Sequence, residues 1–329
     1  MTKKILITGG TGFIGSHLAE KCVSKGYKVI VFDRYNPNYN LGNLAQSEFK
    51  SKIDFVFGDI RDYDSVVKVA KSCDIIFHLA ALIGIPYSYV SPLAYIKTNV
   101  EGTYNILEAA KNLKTRKIFV TSTSEVYGSA NYLPIDETHP LKPQSPYSAS
   151  KIAADNLALS YHNSFNLPVN ILRPFNVYGP RQSQRAIIPT LINQIMKSKN
   201  NGYIEVGNIS PRREFNYVSD ICEGFLSSIK LKNNGQVINI GNGYDVSIKD
   251  LTQIIARLMN KNIKLKVNKK RIRPSKSEVM KLRASFKKAK KLLNWQPSYR
   301  NLNGLEKGLR ETISWNLKRK NEFSKQYIV

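Results

Sequence analysis

A glycine-rich loop between two apolar runs near the start of the chain constrains the fold more than any other segment. The apolar run Lys4–Thr8 leads into Gly10, Gly12 and Gly15, which follow the spacing G-x-G-x-x-G. A stretch with helical apolar spacing comes next, and then a second apolar run, Lys28–Asp33. A strand, a glycine turn, a helix and a strand in this order predict a βαβ unit.

The same alternation continues along the first half of the chain. Strand-like and helix-like segments follow one another: Asp54–Gly58, Asp62–Ser72, Ile75–Leu79, Thr98–Asn112, Lys117–Ser122, Ser148–Phe165 and Val169–Arg173. This order predicts a mostly parallel, doubly wound sheet with helices on both faces, which is a Rossmann-like α/β fold.

After Arg173 the pattern loosens into Pro- and Gly-bearing loops with short elements, which is typical of a smaller α/β domain. Helices are expected at Ile187–Lys197 and Ser247–Met259, and a helix and a strand at Phe215–Lys230 and Val237–Ile240. We assign residues 1–172, with 213–242 returning to them, to the Rossmann-like domain, 173–212 and 243–315 to a substrate domain, and 316–329 to a polar tail.

The net charge of +26 raises the question of a nucleic-acid partner, but the charge is unevenly spread. From Lys261 to Val329 there are 21 Lys and Arg against 4 Asp and Glu, so this region carries +17 of the total. Such runs are ordinarily solvated faces in a lysine-rich chain. We therefore expect no nucleic-acid partner and an anionic substrate for a few of these cations.

The number and spacing of cysteines and histidines indicate the redox compartment and the absence of a disulfide or metal site. Cys22, Cys73 and Cys222 are far apart, and the four histidines show no metal-ligand spacing. No apolar run is long enough for a signal-peptide core or a membrane span. We expect a cytoplasmic protein without a disulfide, a metal or a membrane partner.

The glycine loop predicts a dinucleotide site, because its glycines let a pyrophosphate approach the positive end of the following helix. Asp33 lies 18 residues beyond Gly15 at the end of the second strand, where a carboxylate can accept hydrogen bonds from the adenosine ribose. This favours NAD over NADP. Arg34 leaves the alternative open, since an arginine there suits a 2′-phosphate.

Tyr147 and Lys151 form the one Tyr-x-x-x-Lys spacing in the chain. On a helix these two positions share a face, so the ammonium can lie beside the phenol and favour its ionised form. An ionised phenol is a base for a sugar hydroxyl.

Seven motifs occur in order along nearly the whole chain: Thr8–Gly15, Gly58–Ile60, His78–Ala81, Ser122–Gly128, Tyr147 with Lys151, Arg173–Pro180 and Arg213–Asp220. This set resembles the extended short-chain dehydrogenase/reductase superfamily, in particular its NAD-dependent nucleotide-sugar epimerases and dehydratases. The resemblance implies cofactor contacts from Gly9, Gly12, Phe13, Ile14, Gly15, Asp33, Arg34, Asp59, Ile60, Leu79, Ala80, Ala81, Asn99, Ser122, Tyr147 and Lys151.

The resemblance also implies a chemistry. In such enzymes the tyrosine takes the proton of the sugar C4 hydroxyl, NAD takes the hydride, the lysine holds the nicotinamide ribose, and Thr123 aligns the hydroxyl. The resulting 4-keto group acidifies the C5 proton, and the sequence offers Glu125 as the base that removes it, so that water leaves C6 and hydride returns there. The best-known dehydratases carry Asp where this chain has Ser124, which leaves the proton donor to the C6 hydroxyl open.

The triplet Thr123-Ser124-Glu125 also occurs in nucleotide-sugar decarboxylases, and a 4-epimerase would leave Glu125 idle. A salt bridge or a helix cap is the ordinary structural use of such a glutamate. The alternative to an enzyme is a non-catalytic NAD- or RNA-binding protein with the same fold.

Four longer stretches, Tyr127–Asp136, Gln144–Tyr147, Gly179–Arg185 and Arg273–Met280, are similar to the 4,6-dehydratases of legionaminic-acid-type sugar synthesis, which act on a GDP- or UDP-linked N-acetylglucosamine. The resemblance places Asn176, Arg185, Arg213 and Arg273 at the substrate. It also implies at least a homodimer, or a dimer of dimers, formed through the helices Thr98–Asn112 and Tyr147–Phe165.

Overall fold

The computed structural model describes residues 2–272 and 274–319. In the first half of the chain strands and helices alternate as the apolar pattern predicts. In chain order they are β1 (Lys4–Thr8), α1 (Phe13–Ser24), β2 (Lys28–Arg34), β3 (Ile53–Gly58), α2 (Tyr63–Ala70), β4 (Ile75–His78), α3 (Ile85–Val90), α4 (Pro92–Tyr95), a π-helical turn (Ile96–Glu101), α5 (Gly102–Asn112), β5 (Lys117–Thr121), α6 (Pro146–Phe165) and β6 (Val169–Pro174).

The second half has shorter strands and a long final helix. Its elements are β7 (Val177–Tyr178), α7 (Ile187–Lys197), β8 (Gly202–Val206), β9 (Arg212–Glu214), β10 (Asn216–Tyr217), α8 (Val218–Ser228), β11 (Val237–Ile240), β12 (Asp245–Ser247), α9 (Ile248–Leu258), β13 (Ile263–Val267), β14 (Lys281–Leu282), α10 (Lys287–Leu293) and α11 (Asn301–Lys318).

Seven parallel strands form the central sheet in the order β11-β6-β5-β4-β1-β2-β3. One face packs on α1 and α8, through residues such as Leu18 and Phe225, and the other packs on α2, α5 and α6, through residues such as Ile106 and Ala158. This arrangement confirms the predicted doubly wound, Rossmann-like α/β fold. The strand order reverses between β1 and β4, and such sheets bind ligands at the carboxyl ends of the strands beside this point.

The remaining elements form small sheets and a separate apolar core. β12, β9 and β14 make a three-stranded sheet, β8 pairs with β13, and β7 pairs with β10. Ile192, Ile255 and Leu309, from α7, α9 and α11, pack together in this core. None of the helices within residues 2–272 and 274–319 has the length and apolarity needed to cross a bilayer.

Three segments differ from the sequence predictions. Asn216 and Tyr217 pair with β7 as a strand, so the helix expected from Phe215 begins only at Val218. The helix expected from Thr98 is a π-helical turn up to Glu101. Residues 316–318, assigned to a polar tail, belong to α11, where Asn316 is buried and donates to the Thr312 carbonyl. The division into two domains stays a proposal.

A buried carboxylate, that of Glu214 on β9, joins two other segments of the second half. Its Oε1 accepts from the Asn242 backbone N–H at 2.5 Å, and its Oε2 accepts from the Ala284 backbone N–H at 2.6 Å. Burial raises the pKa of Glu214 to about 7. The side chain is fully buried, so both N–H groups depend on it for an acceptor.

Glu214→Ala is expected to lower the free energy of unfolding by about 3 kcal/mol, because it leaves two buried donors without an acceptor. The loss is expected to be larger at pH 5 than at pH 8. With a pKa raised from 4.5 to about 7, the folded state favours the neutral acid, and this stabilisation disappears between those two pH values. Thermal unfolding across this pH range measures both effects.

Glu223→Ala is the matched control, since the Glu223 side chain is 46% exposed and its ion pair with Lys21 lies at the surface. Equal melting temperatures for the two variants would contradict the structural role of Glu214.

Candidate active site

The glycine loop packs closely against the neighbouring strands. Gly9 has a φ of +70°, and a Cβ there would lie 2.8 Å from the Ala80 backbone nitrogen. A Cβ on Gly15 would lie 2.2 Å from the Gly9 carbonyl oxygen. Gly12 precedes α1 without a side-chain cap, and the first turn of α1, which begins with Phe13 and Ile14, has no acidic residue. The positive end of this helix is therefore open to an anion.

Asp33 lies at the end of β2 beside this loop. Its Oδ2 accepts from the Thr11 backbone N–H at 2.9 Å and from the Thr11 hydroxyl at 2.5 Å. Its Oδ1 accepts from the Arg34 backbone N–H at 2.8 Å, while the side chain of Arg34 is exposed. Three hydrogen bonds thus fix the carboxylate at the edge of the loop.

Asp59 and Ile60 follow β3, but their side chains have different surroundings. Ile60 is buried against Gly102, so its side chain belongs to the core. Asp59 pairs with Arg61, whose hydrogen bonds hold the pKa of the carboxyl below its usual value. The structure places Asp59 at the strand ends with its carboxylate directed to Arg61.

The loop after β4 contains Leu79, Ala80 and Ala81. The Thr8 hydroxyl accepts from the backbone N–H groups of Leu79 and Ala80 at 3.2 Å each. Farther along this loop, Leu82 donates its backbone N–H to Oδ1 of the buried Asn99 at 2.9 Å. These bonds fix the loop at the carboxyl end of the sheet.

Asn99 connects this loop to α6. Its Nδ2 donates to the Leu82 carbonyl at 3.0 Å and to the Ser150 hydroxyl at 2.9 Å. Asn99, which the resemblance implies as a cofactor contact, therefore holds the loop against α6 through its hydrogen bonds.

Tyr147 and Lys151 lie in the first turns of α6, which starts at a Ser145 cap. Both side chains are buried, with 7% and 4% of their surface exposed. Nζ of Lys151 donates to the Thr121 carbonyl at 2.7 Å.

The expected lowering of the Tyr147 pKa is wrong for the protein alone. Burial raises the pKa of this phenol well above its usual value, and a hydrogen bond with Thr123 opposes the shift only in part. Low-dielectric surroundings disfavour a phenolate. The spacing of Tyr147 and Lys151 does not show how deeply the phenol is buried.

Thr123, Ser124 and Glu125 follow β5, and the turn that they begin contacts α6. The Thr123 hydroxyl accepts from the Glu125 backbone N–H at 3.2 Å and so caps the 3₁₀ turn Ser124–Tyr127. Ser124 and Glu125 are buried, and the charge of Glu125 contributes to the raised pKa of Tyr147. The structure therefore brings Thr123, Glu125 and Tyr147 together.

Neither ordinary structural use of Glu125 is observed in the part of the chain that the structure describes. The cap of the turn is Thr123, and no cation forms an ion pair with the Glu125 carboxylate there. A buried carboxylate without a counter-ion, next to a buried tyrosine, is an arrangement typical of an acid–base site.

Two of the predicted substrate residues lie near each other around β9. Arg213 is buried, and its Nη2 donates to Glu278 at 3.1 Å. Nδ2 of Asn176 donates to the Glu214 carbonyl at 3.3 Å. Arg273 lies outside the described residues.

Arg185 is exposed, yet its charge acts on Tyr95, and the Tyr95 ring packs edge-on against Tyr147 at 6.2 Å.

Sequence reasoning missed two groups behind this site. Tyr95 contacts Tyr147 and donates to the Gly84 carbonyl at 2.5 Å, and Asp155 lies one helical turn after Lys151 and pairs with Arg173. The i, i+4 spacing of Lys151 and Asp155 was a usable signal. In the described part of the chain no three His, Cys, Asp or Glu side chains converge as a metal site.

The chain is similar to known proteins over nearly its whole length. A family profile described as GDP-mannose 4,6 dehydratase matches residues 6–311. The UDP-N-acetyl-α-D-glucosaminuronate decarboxylase of Bacillus cytotoxicus is 33% identical over 325 residues, which cover 96% of this chain and 98% of the relative.

Two solved structures cover nearly the whole chain. The dTDP-glucose 4,6-dehydratase DesIV of Streptomyces venezuelae, solved with NAD bound, has a TM-score of 0.86 and 28% identity over 98% of this chain and 99% of its own. The UDP-N-acetylglucosamine 4-epimerase of Methanobrevibacter ruminantium, solved with UDP-N-acetylmuramic acid, has a TM-score of 0.85 and 30% identity over 97% and 99%. The chain therefore belongs to the GDP-mannose 4,6-dehydratase family, among the extended short-chain dehydrogenases/reductases that act on nucleotide sugars.

Proposed function

We propose that this protein is an NAD-dependent nucleotide-sugar 4,6-dehydratase that acts on GDP- or UDP-N-acetylglucosamine. The observation that carries the proposal is Glu125, which is buried beside Tyr147 and has no counter-ion among the described residues. An epimerase has no use for a base over C5, whereas a dehydratase requires one.

The residues at the carboxyl ends of the strands fit NAD. The open end of α1 at Gly12 suits a pyrophosphate, and Asp33 is fixed where it can accept bonds from the adenosine ribose. Lys151 would hold the nicotinamide ribose. When bound, NAD supplies the hydride acceptor for C4 and later the hydride donor for C6. Solved relatives that contain NAD support this assignment.

The chain's own groups carry the proton transfers. Tyr147 would take the proton of the C4 hydroxyl while Thr123 aligns that hydroxyl. The resulting 4-keto group acidifies C5, and Glu125 would then remove the C5 proton. Tyr147 and Glu125 then hold one proton each: one leaves with the C6 hydroxyl as water, and the resulting double bond accepts hydride at C6 and the other proton at C5. The product is a 4-keto-6-deoxy sugar.

Substrate recognition would use cations of the second half. Arg213, Arg273 and Arg185 suit a diphosphate because a guanidinium binds phosphate oxygens in pairs, and Asn176 would contact a phosphate or the sugar. The N-acetylglucosamine assignment rests on the resemblance of Tyr127–Asp136 and Arg273–Met280 to dehydratases of legionaminic-acid-type synthesis. We propose the cytoplasm as the place of action.

Product mass decides between the reactions. Purified protein is incubated with UDP- and GDP-N-acetylglucosamine, and loss of one water supports the dehydratase. An isomer of unchanged mass indicates a 4-epimerase, the second candidate, which the solved epimerase relative favours. Loss of carbon dioxide from a uronate substrate indicates a decarboxylase. Salt-sensitive RNA binding without any turnover would support the non-catalytic alternative.

We also propose a homodimer formed through α5 and α6. Apolar side chains on and before these helices are exposed, among them Ile96, Tyr104 and Phe165. Two copies related by a two-fold axis would cover the same face of each other. Ile96→Glu is expected to convert the dimer to monomer, because it introduces a charge into this apolar face.

Light scattering after gel filtration measures the mass, and Val267→Glu is the control, since Val267 is a similarly exposed residue on β13. A monomeric wild-type protein, or a dimer that persists in Ile96→Glu, would refute this interface.

A further inference from the structure

A buried ion pair lies behind the Tyr147 and Lys151 side chains. Oδ2 of Asp155 on α6 accepts from Nε of Arg173 on β6 at 3.0 Å and from the Ser122 hydroxyl at 2.7 Å, and the ion-pair distance from Oδ2 to Nη2 of Arg173 is 3.0 Å. The side chains of Arg173 and Asp155 are 3% and 1% exposed. The second oxygen, Oδ1 of Asp155, is buried and has no hydrogen-bond partner among the described residues. The Oδ1 oxygen can therefore act on neighbouring groups only through its negative charge.

Contacts with Tyr127 fix the Arg173 guanidinium, and through it the Asp155 carboxylate. Nη1 of Arg173 donates to the Tyr127 hydroxyl at 2.9 Å, and the guanidinium lies over the Tyr127 ring at 5.0 Å. The Tyr127 hydroxyl in turn donates to Oδ1 of Asn239 on β11 at 2.7 Å. The network joins α6 to the sheet.

Lys151 lies one helical turn before Asp155 and is itself almost fully buried. Its ammonium has three donors, and one of them is directed to the Thr121 carbonyl. A buried cation needs an opposing charge nearby, since desolvation favours loss of its proton.

Asp155 is the carboxylate whose charge acts on Lys151. Burial raises the pKa of Asp155, while the Arg173 charge, the Ser122 hydroxyl and the Lys151 charge oppose this shift and favour the ionised form. His78 on β4, whose ring nitrogens bond to the Thr8 and Thr103 hydroxyls, is neutral, because burial and then the Lys151 charge lower the pKa of this imidazole to about 3. Tyr147 on the same helix keeps its proton in the protein alone, and Arg173 on β6 is a cation paired with Asp155. Burial lowers the pKa of Lys151, and Asp155 opposes this shift.

We propose that Asp155 is a positioning residue for Lys151: held by Arg173 and Ser122, it supplies the fixed negative charge that keeps the buried ammonium charged and in place. The inference rests on the proposed cofactor role of Lys151 and is independent of the sugar and of the reaction that follows C4 oxidation. It concerns the state of Lys151 before any substrate binds.

The test uses the full-length protein and NAD alone. Calorimetric titration gives the dissociation constant for NAD at a series of pH values, for wild type and for Asp155→Asn, which keeps the shape and removes the charge. Affinity is expected to fall at alkaline pH as Lys151 loses its proton. In Asp155→Asn this fall is expected about one to three pH units lower than in wild type.

Asp155→Asn leaves the Arg173 cation unpaired and can unfold the protein. The double variant Asp155→Asn/Arg173→Gln removes both charges and is expected to show the same alkaline shift. Asp250→Asn is the control, since Asp250 is an exposed carboxylate on α9, and its pH dependence should equal that of wild type.

An unchanged pH dependence in the folded variants would overturn the proposal. So would an affinity that is weaker by the same factor at every pH, because that result indicates a purely structural pair. The proposed reaction can fail without affecting this test: a protein that turns over no sugar nucleotide still binds NAD with a measurable pH dependence.

Discussion

Tyr147→Phe is expected to lower the rate of hydride transfer by a factor of about 10² to 10⁴, the usual contribution of a positioned acid or base. The phenol is the group that takes the C4 hydroxyl proton in the proposed reaction, and phenylalanine keeps the buried ring beside Tyr95 while removing the hydroxyl. Rapid mixing with substrate, followed by the absorbance of reduced nicotinamide, measures the step directly.

Tyr203→Phe is the control for loss of a tyrosine hydroxyl, because Tyr203 is 66% exposed on β8. The variant should transfer hydride at the wild-type rate. Equal rates for Tyr147→Phe and wild type would remove Tyr147 from the mechanism and with it the proposed oxidation at C4. Unaltered NAD affinity in Tyr147→Phe would show that the loss is chemical.

Glu125→Gln is expected to separate the two halves of the reaction. Bound NAD should still be reduced when substrate is added, because Tyr147 is intact, while formation of the dehydrated product falls by about 10² to 10⁴. Glutamine is isosteric with glutamate, and no ion pair is lost within the described residues, so the change removes mainly the base. Mass spectrometry of the product and the absorbance of reduced nicotinamide follow the two halves.

This variant also distinguishes the candidate reactions. A 4-epimerase would keep its turnover in Glu125→Gln, since hydride leaves and returns at C4 without a proton transfer at C5. Glu223→Gln, which changes an exposed carboxylate on α8, controls for the loss of one negative charge. If Glu125→Gln and wild type form the dehydrated product equally fast, another group is the C5 base.

The sheet was predictable because its signals are local. Each strand of a parallel sheet is a short apolar run, and β11 at Val237–Ile240 has the same bounds in the sequence and in the structure. The pair formed by β8 and β13 is absent from the predictions, although the alternation of apolar and lysine residues in Ile263–Val267 is typical of a half-exposed strand. Which strands pair in the second half depends on contacts distant in sequence.

The site was predictable as a set of residues, but its electrostatics were not. The spacing of Tyr147 and Lys151 predicts a shared helix face, and both residues do lie in the first turns of α6. The sign of the Tyr147 pKa shift depends on burial by surrounding elements, which spacing does not encode. The pairing of Asp155 with Arg173 joins a helix to the following strand and is equally a property of the folded state.

The position of β11 at the outer edge of the sheet has a consequence for synthesis of the chain. β6 is buried along its whole length and receives its outer hydrogen-bond partner only from β11, which follows after more than sixty residues of other structure. During synthesis β6 remains an unpaired apolar edge until Ile240 has emerged, and such edges promote association with other chains. A fragment that ends near residue 172 should therefore aggregate rather than fold.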